Sequence, residues 1–148
     1  ELGELVFTSL TKQAFPVLRY RTRDLSRLLP GTARPAMRRI EKITGRNDDM
    51  IILRGVNIFP TQIEELVLGI EHLTPHFIIE LTREGRMDAM AVRIERAPTL
   101  DREVCEAAAL VLAERIKTHV GSSVAVHLEE PGSLPRSEGK YKRVYDLR

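Results

Sequence analysis

One cysteine, Cys105, stands in 148 residues, so no intramolecular disulfide can form. Cysteine used this sparingly fits a reducing compartment, and a cytoplasmic location is the expectation. No apolar stretch approaches the roughly eighteen residues of a membrane-spanning helix. The N-terminal ELGELVF lacks the basic region of a secretory signal. It also lacks an initiator methionine, so the sequence reads as a piece of a longer polypeptide. Excess charge is scarce too. Twenty-three Lys and Arg against 21 Asp and Glu leave a net charge of +2, too little to argue for nucleic acid. His72 and His76 are four apart, but Pro75 breaks any helix between them. No cysteine or acidic cluster completes a set of ligands, so no metal site is expected in this chain.

What is present is the composition of a globular protein, 43% hydrophobic and 30% charged. The length suits one ordinary domain, or a small domain with an appendage. Glu4 to Leu10 and Ala14 to Tyr20 read as strands joined by Thr11-Lys12-Gln13. Arg21 to Leu29 is polar and basic and ends at Pro30-Gly31, a clear break. Arg38 to Thr44 is a short strand candidate, and a boundary falls near Arg46 to Asp49.

Beyond the boundary the pattern is regular. Ile51, Ile52 and Leu53 sit in an apolar run too short for a helix, bounded by Arg54-Gly55. Thr61 and Glu64 have capping-box spacing at the start of a helix over Thr61 to Ile70, with Ile63, Leu66, Val67 and Ile70 on one face. His76 to Thr82 and Met87 to Glu95 are strands turned by Glu84-Gly85-Arg86. Leu100 to His119 is a long helix with Val104, Ala108, Val111, Leu112 and Ile116 as its apolar stripe. Cys105 falls in it as a small buried hydrophobe. Ser123 to Leu128 is a final strand, and the tail from Pro131 is a loop ending in a short element. The class is α+β, with a ferredoxin-like βαββαβ order from Ile51 onward. That order predicts an antiparallel sheet with both helices on one face.

Three stretches carry chemistry: RYRTRDL at Arg19 to Leu25, GRNDDMIILRGVNIFPTQIEE at Gly45 to Glu65, and RSEGK at Arg136 to Lys140. In this order they resemble the ribose-binding, hinge and C-terminal lysine motifs of the adenylate-forming enzymes. RGVNIFPTQIEE is most similar to the phenylacetate–coenzyme A ligase branch of that family. The resemblance covers essentially the whole chain. It implies that residues 1–47 are the β-rich end of a large adenylation domain and residues 48–148 a small C-terminal lid domain.

The resemblance also implies roles. Asp24 would accept hydrogen bonds from the ribose hydroxyls, work suited to an acceptor-only carboxylate. Read alone it is a surface ion-pair partner. The family's usual motif is Arg-Thr-Gly-Asp, and here Arg23 replaces the glycine. Arg46 would contact the nucleotide, since a guanidinium forks onto oxygen anions. Asp48 would be the hinge, at an exposed turn where a large backbone rotation is cheap; Asp49 reads as a solvated charge. Arg54 and Gly55 would line the path of coenzyme A, the glycine letting the backbone approach the thiol arm. Many family members carry arginine where this chain has Asn57. Lys140 would reach the substrate carboxylate and the α-phosphate and stabilise the charge that develops there. Read alone, RSEGKYKR is a solvated basic tail. Lys142 and Arg143 fit salt bridges or coenzyme A phosphates, and both readings stay open.

The implied activity is an ATP-dependent ligation in two half-reactions. A carboxylate attacks ATP to give an acyl-adenylate, and the coenzyme A thiol then takes the acyl group. ATP, Mg2+ brought by the nucleotide, coenzyme A and an aryl carboxylic acid are the implied ligands, and the upstream large domain of the same polypeptide the implied partner. The phosphate loop and main acyl pocket of the family lie outside this sequence, so the chain alone is expected to be inactive. A homodimer is compatible with this reading; nucleic acid and membrane are not called for. One rival is an RNA-binding module, which needs aromatics on its central strands. MDAMAVRIE at Met87 to Glu95 has none. The other rival is a ferredoxin-like small-ligand-binding regulatory or dimerisation domain without catalytic activity. It leaves RYRTRDL and GRNDD unexplained.

Overall fold

The computed structural model describes residues 1–136 and 142–148. Two units form, Glu1–Met50 and Ile51–Arg148. Asp48 thus lies in the first unit.

In the first unit β1 (Gly3–Phe7), β2 (Tyr20–Ser26) and β5 (Gly45–Arg46) make an antiparallel sheet in the order β1-β2-β5. β3 (Leu28–Leu29) and β4 (Arg39–Ile40) make a separate ribbon. The expected strand Ala14 to Tyr20 does not form. Phe15 and Arg19 have φ of 54° and 48°, left-handed values foreign to a strand, and Pro16 has no N–H to give a ladder. Ser9 and Val17 close the loop instead, with the Ser9 N–H donating to the Val17 carbonyl at 2.8 Å. The strand, β2, falls on the polar, basic stretch from Arg21, to which the sequence alone assigns no element. Its two faces are both polar, so hydropathy gave no signal, and pairing with β1 and β5 stabilises it.

The second unit opens with a hairpin of β6 (Ile51–Leu53) and β7 (Val56–Ile58). Arg54 and Gly55 both have positive φ, 50° and 82°, the paired left-handed geometry of a tight two-residue hairpin turn. Helix α1 (Pro60–Leu68) follows. Its N-cap is Phe59, not Thr61. Gln62 Oε1 accepts the Phe59 N–H at 3.0 Å, and Pro60 occupies the first helical position, where a missing N–H costs nothing. Then come β8 (Leu73–Glu84), β9 (Met87–Arg96), α2 (Arg102–Val120), β10 (Ala125–Glu129) and β11 (Val144–Asp146).

The α+β class is as the sequence predicts, and the sheet departs from the ferredoxin-like expectation. Its order is β10-β9-β8-β11. Only β8 and β9 are antiparallel; β10 runs parallel to β9 and β11 parallel to β8. The Ile51 strand is not in it. β6 pairs with β7 across the tight turn at Arg54-Gly55, and the short tail element takes the place beside β8.

One face of the sheet carries the core. Phe77, Ile79 and Leu81 of β8 and Met90, Val92 and Ile94 of β9 alternate inward, the period-two signature of a strand. Helix α1 adds Ile63 and Val67. Helix α2 adds Cys105, Ala108, Ala109, Leu112, Ile116 and Val120. Its buried stripe is rotated from the expected one: Val104 and Val111 are exposed, and the small Cys105 and Ala109 let the helix sit close. Gly121, at φ 79°, ends α2 with its N–H on the Lys117 carbonyl at 3.0 Å.

Candidate functional site

Asp24 and Arg46, far apart in sequence, are cross-strand partners of β2 and β5. Arg46 Nη1 lies 3.8 Å from Asp24 Oδ1. The guanidinium faces Asp48 more squarely, with Nε to Oδ1 and Nη2 to Oδ2 both at 3.0 Å, and Asp49 Oδ2 is 3.6 Å from Nε. Arg23 adds a second cation 3.5 Å from Asp48. The hydrogen bonds from Arg46 hold the Asp48 carboxyl below the usual carboxylate range, and the same bonds raise Arg46. Three carboxylates around one guanidinium already have their cation. Among the described residues no group of three or more His, Cys, Asp and Glu could hold a metal.

Glu4 braces this cluster from β1. It takes the Arg21 guanidinium, the Arg23 N–H at 3.1 Å and the Asn47 side-chain amide at 3.0 Å. Arg23 itself has φ 67°, the region that favours glycine, which is the residue the resembled motif usually has there. The Asn47 N–H donates to the Arg23 carbonyl at 2.8 Å, so the left-handed bend is stitched to β5.

In the second unit Arg54 and Gly55 form the exposed tip of the β6–β7 hairpin. Arg54 Nε donates to the Asp88 carbonyl at 2.8 Å. Asp88 also takes Arg83 and Arg148, each at 2.8 Å, and Arg148 reaches the Ile52 carbonyl at 3.3 Å. The hairpin is thus fastened to β9 and the chain end through one carboxylate residue. Asp88 and Arg148 were not legible as a pair in the sequence; only the fold joins them. Both are shifted in the direction their pairing dictates. Arg83 and then Arg148 lower the Asp88 carboxyl, and Arg148 lowers Asp146 to about 2.

Lys140, the expected catalytic lysine, lies outside the described residues. After it, Lys142 Nζ sits 5.0 Å from the centroid of the Tyr145 ring. Arg143 pairs with Glu64, donates to the Pro75 carbonyl at 3.4 Å, and lies over the Phe77 ring at 4.4 Å. Glu64, read from the sequence as a helix cap, serves instead as this ion-pair partner. Cys105 is fully buried, its thiol 3.5 Å from the His72 carbonyl.

The second unit, a mixed sheet with two helices opened by a glycine hairpin, is similar to the C-terminal domain of AMP-binding enzymes. The model of that domain matches residues 55–148, and the chain belongs to this family. Over its whole length it is 54% identical to the phenylacetate-coenzyme A ligase of Escherichia coli (strain K12) and 56% identical to that of Pseudomonas putida. It spans about a third of the length of these curated relatives, 34% of each. Among solved structures it is similar to 2-hydroxyisobutyryl-CoA ligase in the postadenylation state in complex with R3-HIB-AMP. There the TM-score is 0.84 and the identity 28%, over 100% of this chain and 32% of that one. No helix of the described residues is long and apolar enough to cross a membrane.

Proposed function

We propose that this chain is the C-terminal part of a cytoplasmic, ATP-dependent aryl-acetate–coenzyme A ligase of the phenylacetate type, joined to an upstream large domain in the same polypeptide. The observation that carries the reading is the pairing of Asp24 with Arg46. It sets an acceptor-only carboxylate beside a forked cation, as a ribose and a phosphate together require. The first unit supports it in another way. Leu10, Phe15 and Leu18 are 93%, 87% and 76% exposed, and apolar surface of that kind calls for a covering partner. The larger domain is the natural cover, and residues 1–47 are its end.

In this reading Asp24 binds the ribose and Arg46 the nucleotide, and Asp48 is the hinge before the lid of residues 48–148. Magnesium comes with the nucleotide and not through ligands of this chain. Lys140 supplies positive charge to the acyl-adenylate transition state. Arg54 and Gly55 line the coenzyme A path in the second half-reaction. The test is ATP–pyrophosphate exchange and thioester formation with phenylacetate, in the full-length protein and its Lys140→Ala variant. Loss of exchange, with thioester still made from supplied acyl-adenylate, is the expected result. Exchange that survives Lys140→Ala would make the lysine a surface charge. No exchange by wild type with any aryl acid would favour a small-ligand-binding regulatory domain.

A further inference from the structure

Glu95 is 2% exposed. A carboxylate in that position costs stability unless it is fully paired. Among the described residues its side-chain partners come from one loop. Arg136 Nη2 donates to Oε2 at 2.6 Å and the Leu134 N–H to Oε1 at 2.9 Å, and the Gly132 N–H contributes a further bond. Glu130 at the loop's start pairs with Arg96 at 2.8 Å, the Ser133 N–H and hydroxyl return to the Glu130 carbonyl, and Leu134 is buried. Burial pushes the Glu95 carboxyl up, and Arg136 with the two backbone N–H groups more than offsets this, so it stays ionised below the usual range.

If stability were the sole requirement, an apolar residue in that position would serve as well or better. What the carboxylate adds is direction. It fixes two backbone N–H groups and one guanidinium at set places on the sheet. Arg136, the last of these, is four residues before Lys140. On the far side Lys142 rests on Tyr145, and the Arg143 carbonyl accepts the Ile79 N–H at 2.7 Å. β11 holds that flank, and Glu95 holds the other.

We infer that Glu95 is a positioning residue for adenylation: its carboxylate holds the Gly132–Arg136 loop and so sets where the lysine segment begins. This rests on the ligase reading above. A catalytic group displaced by about 1 Å can lose about a hundredfold in rate, so a lost anchor is costly to the half-reaction that uses Lys140 and not to the other.

The experiment uses full-length protein with Glu95→Gln, Arg136→Lys and Arg136→Met, with the fold of each variant checked by its melting temperature; Arg136→Lys keeps a cation on the Glu95 carboxylate if the other two destabilise. Expected are a fall of at least tenfold in kcat for pyrophosphate exchange in Glu95→Gln and Arg136→Met, partial rescue in Arg136→Lys, and an ATP KM within threefold. Thioester formation from supplied acyl-adenylate stays within twofold, and the Leu134 amide exchanges hydrogen at least tenfold faster. Equal loss of both half-reactions would reduce Glu95 to a structural role and overturn the inference. So would unchanged exchange beside an active wild type. A wild type silent in both half-reactions overturns the ligase reading, and the inference with it.

Discussion

Arg46 and Asp48 form a two-pronged ion pair, both contacts at 3.0 Å. The proposed nucleotide ligand and the proposed hinge are therefore one electrostatic unit. Any backbone rotation at Asp48 changes what Arg46 faces. Two neighbouring residues with separate roles in the sequence become coupled in the structure, through a guanidinium that can face a carboxylate and a phosphate in turn.

The first prediction concerns that fork. Lysine keeps the charge of Arg46 and loses its planar pair of donors. Arg46→Lys is expected to raise the ATP KM of pyrophosphate exchange by about tenfold, about 1.4 kcal/mol of binding. Steady-state exchange against ATP concentration measures it. An unchanged KM would leave Arg46 as a structural partner of Asp48.

At Gly55 an added Cβ meets no atom within 4 Å, yet φ is 82°. The cost of Gly55→Ala is then purely conformational, about 1–2 kcal/mol for a left-handed alanine. Denaturant unfolding should show it. The coenzyme A role proposed for this turn adds that thioester formation falls further than pyrophosphate exchange. Equal falls would make the turn merely structural.

Acid stability should turn on Asp88 and Asp146. Both carboxyls are depressed in the folded protein, Asp146 to about 2, through hydrogen bonds from Arg83 and Arg148. A depressed carboxylate contributes fully above its unfolded pKa of about 3.9, and the contribution fades as pH falls through the folded value. Melting temperatures should therefore drop between about pH 4 and pH 2, and Asp146→Asn should flatten that slope. A slope unchanged by the substitution would sink this assignment.

These cases also show what a sequence can carry. Core strands β8 and β9 were legible because alternation of Phe77, Ile79 and Leu81, and of Met90, Val92 and Ile94, reports burial on one face. β2 was not, since Arg21, Thr22, Arg23 and Asp24 present polar atoms on both faces. The β6–β7 hairpin turns on left-handed φ at Arg54, which no composition rule assigns to arginine. Asp24 and Arg46 were legible as candidates by resemblance, but their pairing needed the register of β2 on β5. Glu95 gave no signal at all. A glutamate closing a strand looks solvated until the loop that covers it is seen.

Arg143 offers the last test, since the sequence left it between a salt bridge and a coenzyme A contact. In the structure it pairs with Glu64 and stacks over Phe77 at 4.4 Å, tying the tail to α1 and β8. A structural role predicts a coupled pair. Glu64→Ala and Arg143→Ala should each destabilise, and the double variant should lose less than their sum, with a coupling of about 1 kcal/mol by denaturant unfolding. The coenzyme A KM should stay within about twofold in both, because a contact made only for folding has no differential effect on the ligand. A coupling near zero, together with a KM raised about tenfold in Arg143→Ala alone, would transfer this arginine to the coenzyme A site.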